Sequence, residues 1–135
     1  MKKLLVLVAA LTVLVAPTFA KPKKAKKAKA KAKTIKVGII NNDPNESGYR
    51  TANDRDLKAT FTKANGYDAS FAYSLKNDEQ IAAAQKFIQD EVDYLLLSAA
   101  GTSGWDSVLK DAKAQGVKVI LFDRTIDADP SLYAA

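Results

Sequence analysis

Residues 94–122 read YLLLSAAGTSGWDSVLKDAKAQGVKVILF. The stretch opens on Tyr94 to Leu97, an unbroken apolar run. It closes on a second run, Val117 to Phe122, interrupted only by Lys118. Between them lie a small-residue loop, Ala99 to Gly104, and then Trp105, Val108, Leu109 and Ala112 at helical spacing. Gly116 follows the last helical position, where a residue tolerant of positive φ commonly ends a helix. Two short continuous apolar runs around an amphipathic helix are the pattern of parallel strands buried on both faces, joined by a crossover helix.

The same alternation extends upstream. Asn77 and Gln80 have capping-box spacing, and Ile81, Ala84 and Ile88 continue as a helical stripe. Tyr67, Ala69, Phe71 and Tyr73 alternate with Asp68, Ser70 and Ala72, the period of a half-buried strand. Residues 49–64 place Ala52, Leu57, Phe61 and Ala64 roughly on one face of a helix that Asn65-Gly66 stops. Thr34 to Ile40 is rich in β-branched residues and reads as the first strand. The order is β-α-β-α-β-α-β, which predicts an α/β fold of three layers with a parallel sheet. The alternating second strand belongs at an edge and the continuous third and fourth inside, giving the order 2-1-3-4 with a switch point between strands one and three.

The N-terminus differs in kind. Lys2-Lys3, the apolar run Leu4 to Ala16 and Thr18-Phe19-Ala20 read as a secretory signal peptide over residues 1–20. The run is too short for a membrane span, which needs roughly 20 residues. Residues 21–33 carry eight lysines among alanines and read as a solvated, self-repelling linker, with an adhesive arm for anionic surfaces as the alternative. From Thr34 onward there are 11 basic and 15 acidic residues, so the overall +6 belongs to the N-terminal appendages. The body offers no basic footprint for nucleic acid. The chain has neither cysteine nor histidine. Thiolate and imidazole zinc sites, disulfides and Ser-His-Asp catalysis are therefore excluded, whereas Ser-Lys or carboxylate chemistry is not.

Ligands of open parallel sheets bind beyond the carboxyl ends of the strands. Those ends lead here to Asn41, Asp43, Glu46 and Arg50, to Ser98 and residues 101–104, and to Asp123-Arg124. Carboxylates accept from hydroxyls and guanidinium donates to them, so this set suits a polyhydroxy ligand. Tyr49 could cover an apolar sugar face. The competing reading makes Asp123-Arg124 a local ion pair and leaves Glu46 and Arg50 in solvent. Residues 101–104 could instead cradle a phosphate at a helix start, but they lack the ending of a Walker loop. A phosphoacceptor domain would want Asp where Ser98 stands. Asp127 and Asp129, before Pro130, read as turn chemistry before metal ligation, and Trp105 reads as core packing.

Four segments then occur in order: Lys36-Val-Gly-Ile-Ile, Asn45-Glu-Ser-Gly-Tyr-Arg50, Gly104-Trp-Asp-Ser-Val-Leu-Lys-Asp-Ala-Lys113 and Phe122-Asp-Arg-Thr-Ile-Asp127. Together they resemble the sugar-binding proteins of ABC importers, with the type I periplasmic fold. The likeness is greatest to the galactofuranose-binding branch and its Glu-Ser-Gly-Trp-Arg and Asp-Arg-Ser-Ile-Asp segments. Tyr49 stands where the branch has Trp, and the loop before it is one residue longer. The resemblance implies that Glu46, Tyr49 and Arg50 meet a monosaccharide from the first loop, and that Asp123 and Arg124 hold its hydroxyls. It further implies a non-enzymatic binder without metal or cofactor, working in the periplasm with an inner-membrane ABC permease and touching the membrane only through the cleaved signal peptide. The alternatives are a LacI-like effector domain, a chemoreceptor-coupled sugar binder and an exported flavodoxin-like enzyme.

Family members have two lobes joined by a hinge, about twice this length. Residues 34–135 are therefore expected to form an incomplete N-terminal lobe of a truncated chain. Such a piece should bind sugar weakly at best and expose strand four, Val119 to Phe122, as an apolar edge prone to self-pairing.

Overall fold

The computed structural model describes residues 33–135. The signal-peptide reading, and all of the Lys/Ala stretch but Lys33, lie outside the described residues. The elements are β1 (Ile35–Asn41), α1 (Gly48–Thr60), β2 (Tyr67–Tyr73), α2 (Asn77–Gln89), β3 (Tyr94–Leu97), α3 (Asp106–Ala114) and β4 (Lys118–Leu121), with 3-10 turns at Lys63–Asn65 and Pro130–Leu132. The strands form one parallel sheet in the order β2-β1-β3-β4. This is the expected α/β architecture, and it follows from the strand patterns. β2, whose alternate side chains Asp68 and Ser70 face solvent, tolerates an edge, while β1 is buried on both sides from Val37 onward and β3 buries Leu95 and Leu97 on one side and half-buries Tyr94 and Leu96 on the other.

Successive strand residues point to opposite faces. On one face Ile40, Leu95, Leu97 and Val119 join Ala84 and Phe87 of α2 and Val108 and Leu109 of α3 in a single buried cluster. Burying each of these leucines is worth about 1.5–3 kcal/mol relative to leaving it exposed. Gly38 is required by this packing, because a Cβ there would lie 2.7 Å from ring atoms of Phe87. Trp105, with 0% exposure, belongs to the same cluster and donates its indole N–H to the Gly101 carbonyl at 2.9 Å, as a core residue with a satisfied polar handle. Gly116, at φ +76°, ends α3 as its place in the sequence predicts.

α1 takes the other face. The Lys58 ammonium lies 5.8 Å and 5.3 Å from the ring centroids of Phe71 and Tyr73 on β2. Phe61, just past the helix, meets Tyr67 edge-on at 5.0 Å. Ser47 caps the helix, its side chain accepting from the Arg50 N–H at 3.2 Å.

Three expectations are corrected. α1 ends at Thr60, leaving Ala64 exposed on the 3-10 turn, and its buried residues are Arg50 and Asp54 in place of an apolar stripe. Polar contacts seat this helix: Asn41 Nδ2 donates to Asn53 at 2.8 Å, and Tyr73 donates to Asp54 at 2.5 Å. Second, Asn77 and Gln80 form no capping box. The N-cap of α2 is Lys76, without a side-chain bond, and the dipole is met by Asp78 and Glu79 in the first turn. Third, β4 is not a bare edge. The Ala134 N–H donates to Val119 O at 2.8 Å and the Leu121 N–H to Ala135 O at 2.6 Å, while Val119 is buried under α3 and Leu132 and Tyr133 pack against the core. The segment after Pro130 folds back because Asp129 caps its turn through the Ser131 N–H at 2.8 Å.

Candidate binding rim

The chain leaves β1 at Asn41, enters α1 through Ser47 and so places Arg50 in the first turn, over the carboxyl ends of β1 and β3. There the guanidinium is 7% exposed. A buried cation needs compensation, and Arg50 has it from three elements. Its Nη1 lies 2.7 Å from Asp123 Oδ2, beyond β4, and donates to Ser98 Oγ, beyond β3, at 3.3 Å. It also reaches Asn41 Oδ1 at 3.5 Å, and its Nε lies 3.6 Å from Glu46 Oε2. Asp123 is aimed at this cation by a left-handed backbone, φ +66°, a conformation aspartate tolerates better than most residues. The strain is of order 1 kcal/mol, less than the energy of a charge-assisted bond to a buried partner.

Asp123 has two further donors. Ser98 Oγ donates to Oδ2 at 3.2 Å, and the Tyr49 phenol donates to Oδ1 at 3.1 Å. Its partial burial pushes the carboxyl upward. The hydrogen bonds from Arg50 and Tyr49 outweigh that and hold it below the usual carboxylate range. The same contact raises the Tyr49 phenol above its ordinary value. Tyr49 is 58% exposed, and its ring centroid lies 5.5 Å from the Arg50 guanidinium carbon. It thus forms the outer lip of the rim.

Of the residues expected from sequence, Glu46, Tyr49, Arg50 and Asp123 meet in one network. Arg124 is adjacent, its Nε 3.9 Å from Asp123 Oδ2, and keeps its guanidinium partly in solvent. The local Asp123-Arg124 pair is therefore the weak contact, and Arg50 is the true partner of Asp123. Asp129 caps its own turn as expected, whereas Asp127 accepts from Thr102 Oγ1 at 2.8 Å and ties its loop to the one after β3.

Sequence reasoning missed the supports beneath the rim. Gln80, 1% exposed, lies on the α2 stripe otherwise made by Ala84 and Phe87. Its Nε2 donates to the carbonyls of Ser74 at 2.9 Å, Ser98 at 3.3 Å and Asn41 at 3.4 Å, and its Oε1 accepts from the Ala100 N–H at 2.8 Å. One amide thus ties together the ends of three strands. Asn77 pins the next loop, accepting from the Gly101 N–H at 3.2 Å and donating to Ser103 O at 2.8 Å. Asn42 Nδ2 donates to both Ser98 O and Ser98 Oγ at 3.2 Å, while its own Oδ1 is buried without a partner. The available signal was a polar residue on an apolar stripe.

With this geometry in place, the similarities can be read. Residues 37–135 match the family described as periplasmic binding protein domain. The chain is 41% identical over 93 residues to the fructose import binding protein FruE of Bifidobacterium longum, a match covering 67% of this chain. It is 37% identical over 90 residues, 65% of its length, to the galactofuranose-binding protein YtfQ of Escherichia coli. The matches span 28% of the length of each of these curated relatives. A Mycobacterium smegmatis protein crystallised with β-D-fucofuranose superposes with a TM-score of 0.67 at 37% identity, over 73% of this chain and 33% of that one. On the family match, the fold and these likenesses, the chain belongs to the periplasmic binding protein domain family.

Proposed function

We propose that this chain supplies one rim of a monosaccharide site in the solute-binding component of an ABC-type sugar importer. In this reading Glu46, Tyr49, Arg50, Asp123 and Arg124 contact the sugar. Asp123 accepts from hydroxyls, the free edge of Arg124 donates to ring and hydroxyl oxygens, and the Tyr49 ring covers an apolar C–H face. The observation that carries the reading is the pair that the buried Arg50 makes with Asp123 at 2.7 Å. It fixes a carboxylate at the carboxyl edge of a parallel sheet, where ligands of such sheets bind, with Tyr49 and Arg124 left accessible beside it. The named sugars of the relatives, fructose and galactofuranose, are the first candidates. The protein acts as a binder and not an enzyme, without metal, and its partner is an inner-membrane permease. Residues 1–20 act as a signal peptide to the periplasm, residues 21–33 as a linker, and residues 34–135 as part of the N-terminal lobe.

Saturation-transfer NMR of the 135-residue chain with D-fructose, D-galactose and L-arabinose tests this. We expect weak binding of at least one, weakened in Arg124→Ala and unchanged by EDTA. A rim that covers only one side of a sugar leaves its hydroxyls exchanging with water, so each hydrogen bond yields a net gain near the low end of about 0.5–1.5 kcal/mol. Binding of none of the three overturns the reading. Loss of binding in EDTA overturns its metal-free part.

A further inference from the structure

Asp123 has two oxygens and about four lone-pair positions. Oδ2 is committed inward, to Arg50 Nη1 at 2.7 Å and Ser98 Oγ at 3.2 Å. Any ligand hydroxyl must therefore be accepted at Oδ1, and Oδ1 already receives the Tyr49 phenol at 3.1 Å. The donor comes from the first turn of α1, and its ring is more exposed than its target: Tyr49 is 58% exposed and the Asp123 side chain 20%. The ring is steadied from below by the Arg50 guanidinium, 5.5 Å from its centroid. Arg50, Ser98, Tyr49 and the more distant Arg124 are thus the groups around Asp123, and Tyr49 is the one among them that reaches Oδ1.

We infer that Tyr49 is a specificity-determining residue whose phenol stands in for one ligand hydroxyl at Asp123, so that the rim accepts sugars lacking that hydroxyl. The inference rests on the sugar-binding reading above and gives it a substrate class: deoxygenated monosaccharides are tolerated alongside their parents. The physical reason is the cost of an acceptor left unpaired once a ligand covers it. Where a ligand excludes water from the rim, a sugar without the matching hydroxyl would leave Oδ1 unpaired, a loss larger than the bond itself is worth. With the phenol in place, Oδ1 stays satisfied and the penalty disappears. The upward displacement of the Tyr49 phenol by its bond to Asp123 agrees with this geometry.

The test compares the 135-residue chain with Tyr49→Phe, which keeps the ring and removes the donor. The first arm needs no sugar. Carboxyl-carbon NMR follows the acid titration of Asp123, whose midpoint should rise in Tyr49→Phe because a donor to the ionised form is lost. An unchanged midpoint overturns the inference, since the phenol would then not be bonded to Asp123. The second arm measures relative affinities for D-galactose and its 2-deoxy, 3-deoxy and 6-deoxy forms. Wild type should bind at least one deoxy form nearly as well as the parent, and Tyr49→Phe should increase the preference for the parent over that form about twofold, since this one-sided rim stays open to water. Equal preferences in the two proteins for all three analogues overturn the inference while leaving the sugar-binding reading intact. Absence of binding by both proteins overturns that reading and the specificity role together.

Discussion

The two ends of the sheet carry similar residues and use them differently. At the amino ends of β3 and β4 a concavity of about 410 Å³ is lined by residues that include Glu91, Asp93 and Gln115. The charges there and beside it lie at the surface and meet only exposed lysines or a backbone N–H. Asp93 accepts from the Lys36 N–H at 2.9 Å and pairs with Lys33 at 3.0 Å, and Asp90 pairs with Lys86 at 2.5 Å. At the carboxyl ends Glu46 and Asp123 converge instead on one buried guanidinium, that of Arg50, and Tyr49 and Arg124 are left accessible beside it. In the proposed reading the site is located by the convergence of committed polar groups at the carboxyl ends and not by concavity.

The sharpest way to break this comparison is to remove the central cation. Arg50→Ala should destabilise the protein by about 3 kcal/mol. Breaking a buried pair costs roughly 3–5 kcal/mol, and the partial exposure of Asp123 places this case at the low end. Urea unfolding measures it. A loss under about 0.5 kcal/mol would mean that the carboxyl end is no better organised than the other.

Gln80→Leu should follow, at about 1–3 kcal/mol, because it leaves the Ala100 N–H and the carbonyls of Ser74, Ser98 and Asn41 without their shared partner. It should also loosen the rim, seen as faster amide exchange at Ala100. Unchanged exchange there would contradict the clamp.

Acid gives a graded effect of the same origin. Asp123 and Asp54 are both shifted down in the folded protein. For each, partial burial acts upward and is outweighed by hydrogen bonds, from Arg50 and Tyr49 to Asp123 and from Lys58 and Tyr73 to Asp54. A carboxylate with a depressed folded value contributes stability above its unfolded value, about pH 4, and that stability is lost as pH falls through the folded value. Melting temperature should therefore decline below about pH 4, and Asp123→Asn should flatten part of the decline. A profile identical to wild type would deny the shift at Asp123.

The smallest change belongs to the amino end. Lys86→Ala removes an exposed i,i+4 pair and should cost no more than about 0.5 kcal/mol. A larger loss would erase the contrast between the two ends.

These contrasts also explain what could be read in advance. Strands β3 and β4 were legible as continuous apolar runs over residues 94–97 and 117–122, although the face that carries Tyr94, Leu96 and Ile120 is only half-buried. The edge position of β2 followed from Asp68 and Ser70. Helix α1 misled because it is held by Arg50, Asn53 and Asp54, and a helix seated by polar contacts carries no apolar stripe to read. Arg50 and Asp123 were each legible as rim residues from their place after a strand. Their pairing was not, since it depends on a left-handed Asp123 and on the buried Ser98 between them. Gln80 was mistaken for a cap because its spacing from Asn77 fits one, whereas its burial depends on where the ends of β1, β2 and β3 converge.

The central claim is that the carboxyl rim, and not the concavity at the amino ends of β3 and β4, meets the sugar. Amide chemical-shift mapping of the 135-residue chain during titration with D-fructose or D-galactose tests it most directly. The account predicts shifts concentrated at Glu46, Tyr49, Arg50, Ser98, Asp123 and Arg124, with Glu91, Asp93 and Gln115 unmoved. Shifts centred on Glu91, Asp93 and Gln115, with the rim silent, would contradict it.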